Sequence, residues 1–356
     1  MIVGVDLGYG FVKAVNEQDD KIVFPAVIAS GKERSWGKLF DRVPDDYFVT
    51  VRPESGSPEE YFVGRLAESS GHVVSRAFDS QKAGHPTERV LLLTALGLLA
   101  GDGPCVLALG TPLQQYTPAA VADLQRTYSG LTADVEVRSS EVRRTRVQVA
   151  RVSVLPQGAA VLLGLLADRD GRVHLGDVLR FGGLVGFVDV GYRTTDYLLL
   201  EVSPQGRVLP LYEMSGTLDL GMVDVVKKLR DQVQDRVSGS SVDLVAVNRA
   251  WHETRLFYWS GRDYDLGELG RLDMEQVARA IRDRLVQAWS NRLPQVRFLF
   301  LAGGGAPDVQ PYFDGFGGLQ CRQIMWPQEA NARGYMLVTR SGAPGAARSQ
   351  EGFPVS

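Results

Sequence analysis

The sequence predicts an α/β fold of two lobes, each built around the same strand-and-turn unit. Strand-like and helix-like segments alternate along the chain, which is typical of α/β proteins. The segment "VGVDLGYGFVKA" near the start is repeated in the second half as "VGFVDVGYRTTDYL", and both copies read strand, Asp, apolar residue, Gly, Tyr. A chain of 356 residues has room for two domains, so the repeat indicates a duplicated domain.

The first half is predicted to alternate strands with helices, and a strand pair precedes an apolar helix. The predicted strands are 2–6, 11–15, 21–25, 47–51, 61–63, 105–109, 133–138 and 142–155. The predicted helices are 87–100, 118–128 and 159–167.

The second half is predicted to repeat the strand-turn-strand unit and then to carry helices around a late buried strand. Met274, Val277, Ile281, Leu285 and Trp289 recur at spacings of three and four, which predicts an amphipathic helix over 273–289. The other predicted elements are strands 208–212 and 296–301 and helices 218–237 and 329–338. The tail 341–356 is rich in Gly, Ala, Ser and Pro and is predicted to be disordered.

Composition limits the classes of function. The net charge of −3 gives no reason to expect direct, sequence-independent binding to nucleic acid. Cys105, Cys321 and four scattered His residues show no ligand spacing, which argues against a Cys/His metal site and fits a reducing compartment. No signal peptide is recognised, and the most apolar window, 90–100, is too short to cross a bilayer. We therefore expect a cytosolic protein without a membrane partner.

Each copy of the repeat places a carboxylate, Asp6 or Asp189, beside a glycine turn. The backbone N–H groups of such a turn can hold phosphate oxygens, which a bare carboxylate would repel. Mg²⁺ removes this conflict because it interacts with both groups, directly or through its waters. The repeat thus predicts that Asp6 and Asp189 position a magnesium-bound phosphate in a cleft between the lobes, with Lys13 adding positive charge. The alternative is that both acids only stabilise ordinary turns.

Other phosphate motifs do not fit. The pattern GxxxxGK[ST] does not occur, which excludes a P-loop. The pair Gly8 and Gly10 lacks the third glycine of GxGxxG, and no strand ends in an acid about 20 residues further on, so a dinucleotide-binding fold is disfavoured.

The motifs in chain order resemble those of the actin-like ATPase superfamily. Its five elements match, in order, Asp6-Leu7-Gly8-Tyr9-Gly10 with Lys13, Pro156-Gln157-Gly158-Ala159, 189–196, 301–306 and 330–335. The segments "YFVGRLA", "LALGTPL", "LPQGAA" and "NARGY" resemble the plasmid-segregation branch, the ParM/StbA family. The resemblance implies a two-lobed, duplicated ribonuclease H-like fold with a nucleotide cleft between the lobes.

The resemblance also implies roles for single residues. Asp6 and Asp189 would be the metal ligands and, with Gln157, the catalytic residues, Gln157 by orienting the attacking water. The alternative for Gln157 is a plain polar residue at a helix start. The residues implied to contact ATP or ADP are Gly8, Tyr9, Gly10, Lys13, Gly191, Tyr192, Arg193, Thr194, Gly216, Thr217, Gly303, Gly304 and Gly305. The glycine run after strand 296–301 would approach a flat base or a phosphate, and Thr195 either bonds a phosphate or faces the sheet.

The resemblance implies a bacterial, cytoplasmic ATPase that polymerises into nucleotide-dependent filaments and segregates plasmid or other DNA through a DNA-binding adaptor protein. Lobe I would hold 1–156 and 329–340, and lobe II would hold 157–328 with a smaller subdomain at about 220–292. The aromatic residues Trp251, Phe257, Tyr258 and Trp259 of that subdomain are either core or filament contacts. The alternatives are a small-molecule kinase of the same superfamily and a non-polymerising actin-like scaffold ATPase.

Overall fold

The computed structural model describes residues 1–31, 46–69, 74–76, 84–167, 180, 182–205, 207–237 and 241–342. The chain divides into two compact units, one of Met1–Gly176 with Glu329–Ser356 and one of Asp177–Gln328. The predicted tail lies outside the described residues from residue 343 onwards. None of the helices in the described ranges has both the length and the apolar character needed to cross a bilayer.

The strands and helices have the following bounds in chain order. The strands are β1 (Ile2–Leu7), β2 (Phe11–Asn16), β3 (Lys21–Pro25), β4 (Val27–Ser30), β5 (Asp46–Pro53), β6 (Glu59–Gly64), β7 (Val74–Arg76), β8 (Gly103–Thr111), β9 (Thr132–Arg138), β10 (Val142–Pro156), β11 (Gly183–Val190), β12 (Thr195–Val202), β13 (Val208–Pro210), β14 (Gly216–Leu218), β15 (Leu256–Trp259), β16 (Arg262–Asp265), β17 (Val296–Ala302) and β18 (Gln320–Gln323). The helices are α1 (Arg65–Ser69), α2 (Pro86–Leu99), α3 (Pro118–Tyr128), α4 (Ala159–Ala167), α5 (Met222–Gln234), α6 (Leu244–Glu253), α7 (Leu266–Leu269), α8 (Arg271–Trp289), α9 (Ala306–Val309) and α10 (Ala330–Ser341).

The described part of the first unit is built on a ten-stranded sheet with the order β3-β2-β1-β8-β10-β9-β5-β6-β4-β7. Side chains of its strands alternate between two apolar layers, as a pleated strand requires. Val3 and Val5 of β1 join the core under α2, whereas Ala108 of β8 packs against Tyr335 of α10 on the opposite face. Helices therefore cover both faces of the parallel part of this sheet.

Helices α4 and α10 pack against each other through small residues. An added Cβ on Gly334 of α10 would lie 2.8 Å from the carbonyl oxygen of Ala160 in α4, and an added Cβ on Gly164 would lie 3.0 Å from the Cα of Gly334. This close approach makes α4 part of the first unit. The structure therefore divides the chain after Gly176, later than the boundary at 156 that the sequence analysis expects.

The second unit has a sheet with the order β13-β12-β11-β17-β18, with β14 added on β12, and a separate hairpin of β15 and β16. Its core joins α5, α6 and α8 to β11, β12 and β17. The amphipathic stripe predicted for α8 is confirmed, because Met274, Val277, Ile281, Leu285 and Trp289 are all buried.

The two units share one strand arrangement. In each, a meander of three antiparallel strands is followed by two parallel strands: β3-β2-β1 with β8 and β10, and β13-β12-β11 with β17 and β18. The predicted duplication and the α/β fold class are thereby confirmed. Strands β9, β5, β6, β4 and β7 extend only the first sheet.

The helix predicted over 218–237 begins later than expected. Gly216–Leu218 forms β14, which pairs with β12, and Gly221 has the extended backbone of an N-cap. The helix α5 starts only at Met222 because the preceding backbone groups are used by the sheet.

Replacing Gly334 by Ala is expected to lower the free energy of unfolding by about 1–3 kcal/mol, because the new methyl group forces α4 and α10 apart. Chemical denaturation of both proteins measures the difference. The matched control is Gly267→Ala, where the added Cβ would meet only the Asp265 side chain, at 3.2 Å. A Gly334→Ala protein as stable as the parent chain would contradict the close packing of these helices.

Candidate functional site

The first predicted phosphate turn joins β1 to β2. Asp6 and Lys13 are direct partners in the β1–β2 register, and Lys13 Nζ lies 3.0 Å from Asp6 Oδ2. Both side chains are largely buried, with 7% of Asp6 and 15% of Lys13 exposed. The pair is therefore shielded from solvent, so its attraction is less screened than that of a surface ion pair.

A glycine is required at position 8 by close approach. Its N–H donates to the carbonyl of Phe11 at 3.1 Å, which closes the turn. An added Cβ on Gly8 would lie 2.7 Å from that carbonyl oxygen and 2.9 Å from Lys13 Nζ. Any side chain at this position would thus disturb both the turn and the ion pair.

The second predicted phosphate turn, between β11 and β12, has the same construction. The N–H of Gly191 donates to the carbonyl of Thr194 at 2.9 Å, and an added Cβ would lie 2.8 Å from that oxygen. Asp189 and Asp196 are direct register partners, as Asp6 and Lys13 are in the first turn. The two copies differ in charge, because an acid in the second turn takes the place of the lysine in the first.

The second turn rests on the start of α5. Met222 N–H donates to Gly191 O at 3.1 Å, and Val223 N–H donates to Tyr192 O at 2.8 Å. No cis peptide bond occurs among the described residues, so each N–H points opposite to the carbonyl of its own peptide unit. The N–H groups of Tyr192 and Arg193 therefore point away from α5. Successive amides with one direction are the arrangement that binds anions.

The glycine run 303–305 packs directly against Asp189. Gly303 has a φ of +87°, and an added Cβ there would overlap the Asp189 carboxylate and the Val190 carbonyl. Gly305 donates its N–H to Val190 O at 3.0 Å. The structure thus brings together Asp189, the Gly191 turn and Gly303–Gly305, as the sequence analysis expects of the second lobe.

Gln157 lies at the carboxyl edge of the parallel strands in the first unit. It follows β10, and its N–H donates to Thr111 O, at the end of β8, at 2.9 Å. Gly158 then takes a φ of +70°, and its N–H donates to Asn331 Oδ1 at 3.2 Å. Asp6 leaves the same edge on β1, two strands from β10 and so about 10 Å away.

The remaining predicted contacts have a structural explanation of their own. Gly216 is buried, and an added Cβ would lie 2.5 Å from the hydroxyl oxygen of Tyr197. Thr217 donates its hydroxyl proton to the Asp196 carboxylate, and Arg193 lies 3.5 Å from Asp219 in an exposed ion pair. Their contacts with a nucleotide stay predictions.

The open question about Thr195 has an answer. Its side chain is fully buried and its hydroxyl donates to Leu220 O at 2.8 Å, so it packs inside the second unit.

The sequence analysis gives Asp196 no role of its own. The signal that could have found it is its spacing of seven residues from Asp189, which equals the spacing of Lys13 from Asp6.

The carboxylates fit the hydrated magnesium that a nucleotide would bring. Among the described residues, no group of three or more His, Cys, Asp or Glu side chains could hold a metal ion by itself. Mg²⁺ does not need one, because it binds through one or two carboxylates and takes its other ligands from phosphates and waters. Asp6 and Asp189 supply oxygen donors of that kind, each beside a glycine turn.

Comparison with protein families gives two matches. The N-terminal domain of actin-like proteins matches residues 4–159, and the MreB-like C-terminal domain of archaeal actin homologues matches residues 187–315. An archaeal actin homologue of Thermoplasma volcanium is 25% identical over 326 residues, covering 88% of this chain and 90% of the relative. Its counterpart in Thermoplasma acidophilum is 24% identical over 323 residues, with the same coverage.

Solved structures are similar over nearly the whole chain. A 15-stranded ParM filament from Clostridium botulinum is 25% identical, with a TM-score of 0.81 and coverage of 96% of this chain and 99% of the filament subunit. An archaeal actin homologue in complex with ADP is 21% identical, with a TM-score of 0.76 and the same coverage. These likenesses agree with the predicted actin-like fold class.

Replacing Lys13 by Met is expected to lower the free energy of unfolding by about 3 kcal/mol, because it leaves the buried Asp6 carboxylate without its cation. The double variant Asp6→Asn with Lys13→Met should recover part of this loss, since the amide carries no charge. Urea denaturation of the single and double variants measures both effects.

The matched control is Arg126→Ala, which removes an exposed ion pair with Asp123 and should cost less than about 1 kcal/mol. Equal losses for Lys13→Met and Arg126→Ala would contradict the assignment of a shielded Asp6–Lys13 pair.

Proposed function

This chain belongs to the actin-like superfamily, and we propose that it is an ATPase that assembles into filaments whose stability depends on the bound nucleotide. The observation that carries this proposal is the duplicated turn. In both units an acid is the penultimate residue of a buried strand, and a glycine N–H closes the turn onto the third residue beyond that glycine. A Cβ on that glycine would meet the accepting carbonyl oxygen. A single turn of this kind would be explained as an ordinary hairpin. Two turns with the same strand register favour binding of a common ligand.

The ligand proposed is ATP or ADP with Mg²⁺. The backbone amides of Tyr9 and Gly10 and of Tyr192 through Thr194 would hold phosphate oxygens. The N–H groups of Gly8 and Gly191 close the turns, so these two glycines would contribute by letting the phosphate approach the backbone closely. Lys13 would add a positive charge for the phosphates while keeping Asp6 in place. The metal, when bound, would neutralise phosphate charge, and Asp6 and Asp189 would orient its water shell.

Hydrolysis is proposed to depend on Gln157. Its backbone is fixed by the hydrogen bond to Thr111 and by the left-handed Gly158 that follows, so the side chain starts from a defined point at the edge of the sheet. A neutral amide is a weak base, but it can align a water for in-line attack on a phosphate. Slow hydrolysis of this kind would act as a timer for the filament.

Assembly is proposed to follow head-to-tail contacts, which do not close on themselves and so extend into a filament. A ParM filament is among the structures most similar to this fold, at 25% identity. In the second unit, the hairpin of β15 and β16 buries Phe257 and exposes 62% of Leu256 and 68% of Tyr258. We propose that Tyr258, one of the aromatic residues singled out in the sequence, and its neighbour Leu256 are filament contacts.

The finer proposal is that the filament segregates plasmid or other DNA in the cytoplasm. Because the chain carries a net charge of −3, a separate adaptor protein would bind the DNA. Nucleotide state would control the filament through the difference in affinity that the free and assembled subunits have for ATP and ADP.

Light scattering of the purified protein with ATP, with ADP and without nucleotide tests the assembly. Scattering is expected to rise with ATP and Mg²⁺ and to fall as ATP is consumed, because ADP favours the free subunit. The small-molecule kinase would be favoured by two results together: light scattering that is the same with ATP, with ADP and without nucleotide, and ATP consumption that depends on an added sugar or carboxylic acid.

Two substitutions are expected to act differently on this cycle. Asp6→Asn should remove ATP-dependent scattering, because the magnesium-bound phosphates lose a carboxylate. Gln157→Ala should still assemble but release phosphate more slowly, on the order of 100-fold, because the water is no longer aligned. Measured phosphate release from Gln157→Ala at the parent rate would refute the role given to this side chain.

A further inference from the structure

The three amides of the glycine run 303–305 are not equally placed for a ligand. Gly303 N–H donates to Pro327 O at 2.7 Å, and Gly305 N–H donates to Val190 O at 3.0 Å. Gly304 is exposed, and an added Cβ there would meet only the side chain of Gln328, at 4.0 Å. Because two of the three amides serve protein carbonyls, the loop is better suited to the flat face of a base than to a phosphate.

The segment after β18 is fixed against this loop on both sides. Ile324 N–H donates to Leu301 O at 3.0 Å, and the Pro327 carbonyl accepts from Gly303. Met325 and Trp326 lie between these two hydrogen bonds. Their backbone is therefore held within a few residues of the exposed Gly304.

Trp326 has a conformation and an exposure that folding alone does not favour. Its φ is +55°, a left-handed value that is an outlier for a bulky side chain and would suit glycine better. The residue is 39% exposed, and Met325 is 58% exposed. A strained backbone that presents large apolar groups beside a candidate ligand loop is the pattern of a functional position.

We propose that Trp326 is the stacking platform for the purine base of the bound nucleotide, with Met325 as an apolar flank and Gly304 as the open approach for the base. This proposal rests on the proposed nucleotide binding and adds the residue that recognises the base. The indole offers a wide π surface, and base stacking on such a ring depends little on which purine is bound. Trp326 would therefore add affinity for the nucleoside and leave the affinity for phosphates to the two glycine turns.

The test compares binding of ATP and of inorganic tripolyphosphate, each with Mg²⁺, to the full chain and to its variants by calorimetry. Trp326→Gly should bind ATP about tenfold more weakly, because the stacked ring is lost, and should bind tripolyphosphate as the parent does. Its melting temperature should stay level or rise, because glycine relieves the strained φ. A merely structural tryptophan would instead lower stability and both affinities together.

Two further variants complete the test. Trp326→Phe keeps an aromatic ring and should recover most of the ATP affinity, while the change in tryptophan fluorescence on adding ATP should shrink. Leu272→Ala removes an exposed apolar side chain from the start of α8 and should bind ATP as the parent does. Parent-like ATP affinity in Trp326→Gly would overturn the platform and leave the proposed function standing. A parent chain that binds neither ATP nor tripolyphosphate would overturn both.

Discussion

Close approach of backbone to backbone at Gly8 and Gly191 is the constraint on which the candidate site depends. At each glycine the N–H reaches a carbonyl three residues further on, and the space that a Cβ would need is occupied by that same oxygen. The turn is therefore tight enough to keep the preceding acid at the end of its strand. Since Asp6 and Asp189 are the penultimate residues of buried strands, their position is set by the sheet and not by a mobile loop.

Much of this architecture could be predicted because the relevant signals are local. Helix α3 begins after Thr117 with a proline in its first turn and ends where predicted, and α8 follows from its apolar spacing. The repeated Asp-x-Gly-Tyr pattern predicted the duplication, which the shared strand order confirms. Elements that depend on distant partners could not be predicted in this way. Strands β14 and β18 are only three and four residues long, and they are strands because β12 and β17 supply their hydrogen-bond partners.

The candidate site shows the same division between local and distant information. The sequence was enough to single out the two turns, Gln157 and the glycine run, because in each case an apolar strand-like segment is followed within a few residues by glycine. The reasons why particular positions need glycine could not be predicted. A Cβ on Gly216 would clash with the hydroxyl of Tyr197, and a Cβ on Gly303 would clash with the carboxylate of Asp189. The boundary between the compact units lies after Gly176, later than the expected 156, for a related reason. Nothing near residue 156 in the sequence reveals that α4 meets Gly334, which is far away along the chain.

The return of α10 to the first unit affects how the chain can fold as it is synthesised. Domains usually fold in the order in which they leave the ribosome. Here the second unit is continuous in sequence, whereas the first lacks the helix that covers Gly4 and Gly110 until residues beyond 329 have emerged. The middle of the polypeptide can therefore complete its core before the beginning does. Until then the β1–β8 face is an uncovered apolar surface, which makes the nascent first unit a natural client for a chaperone.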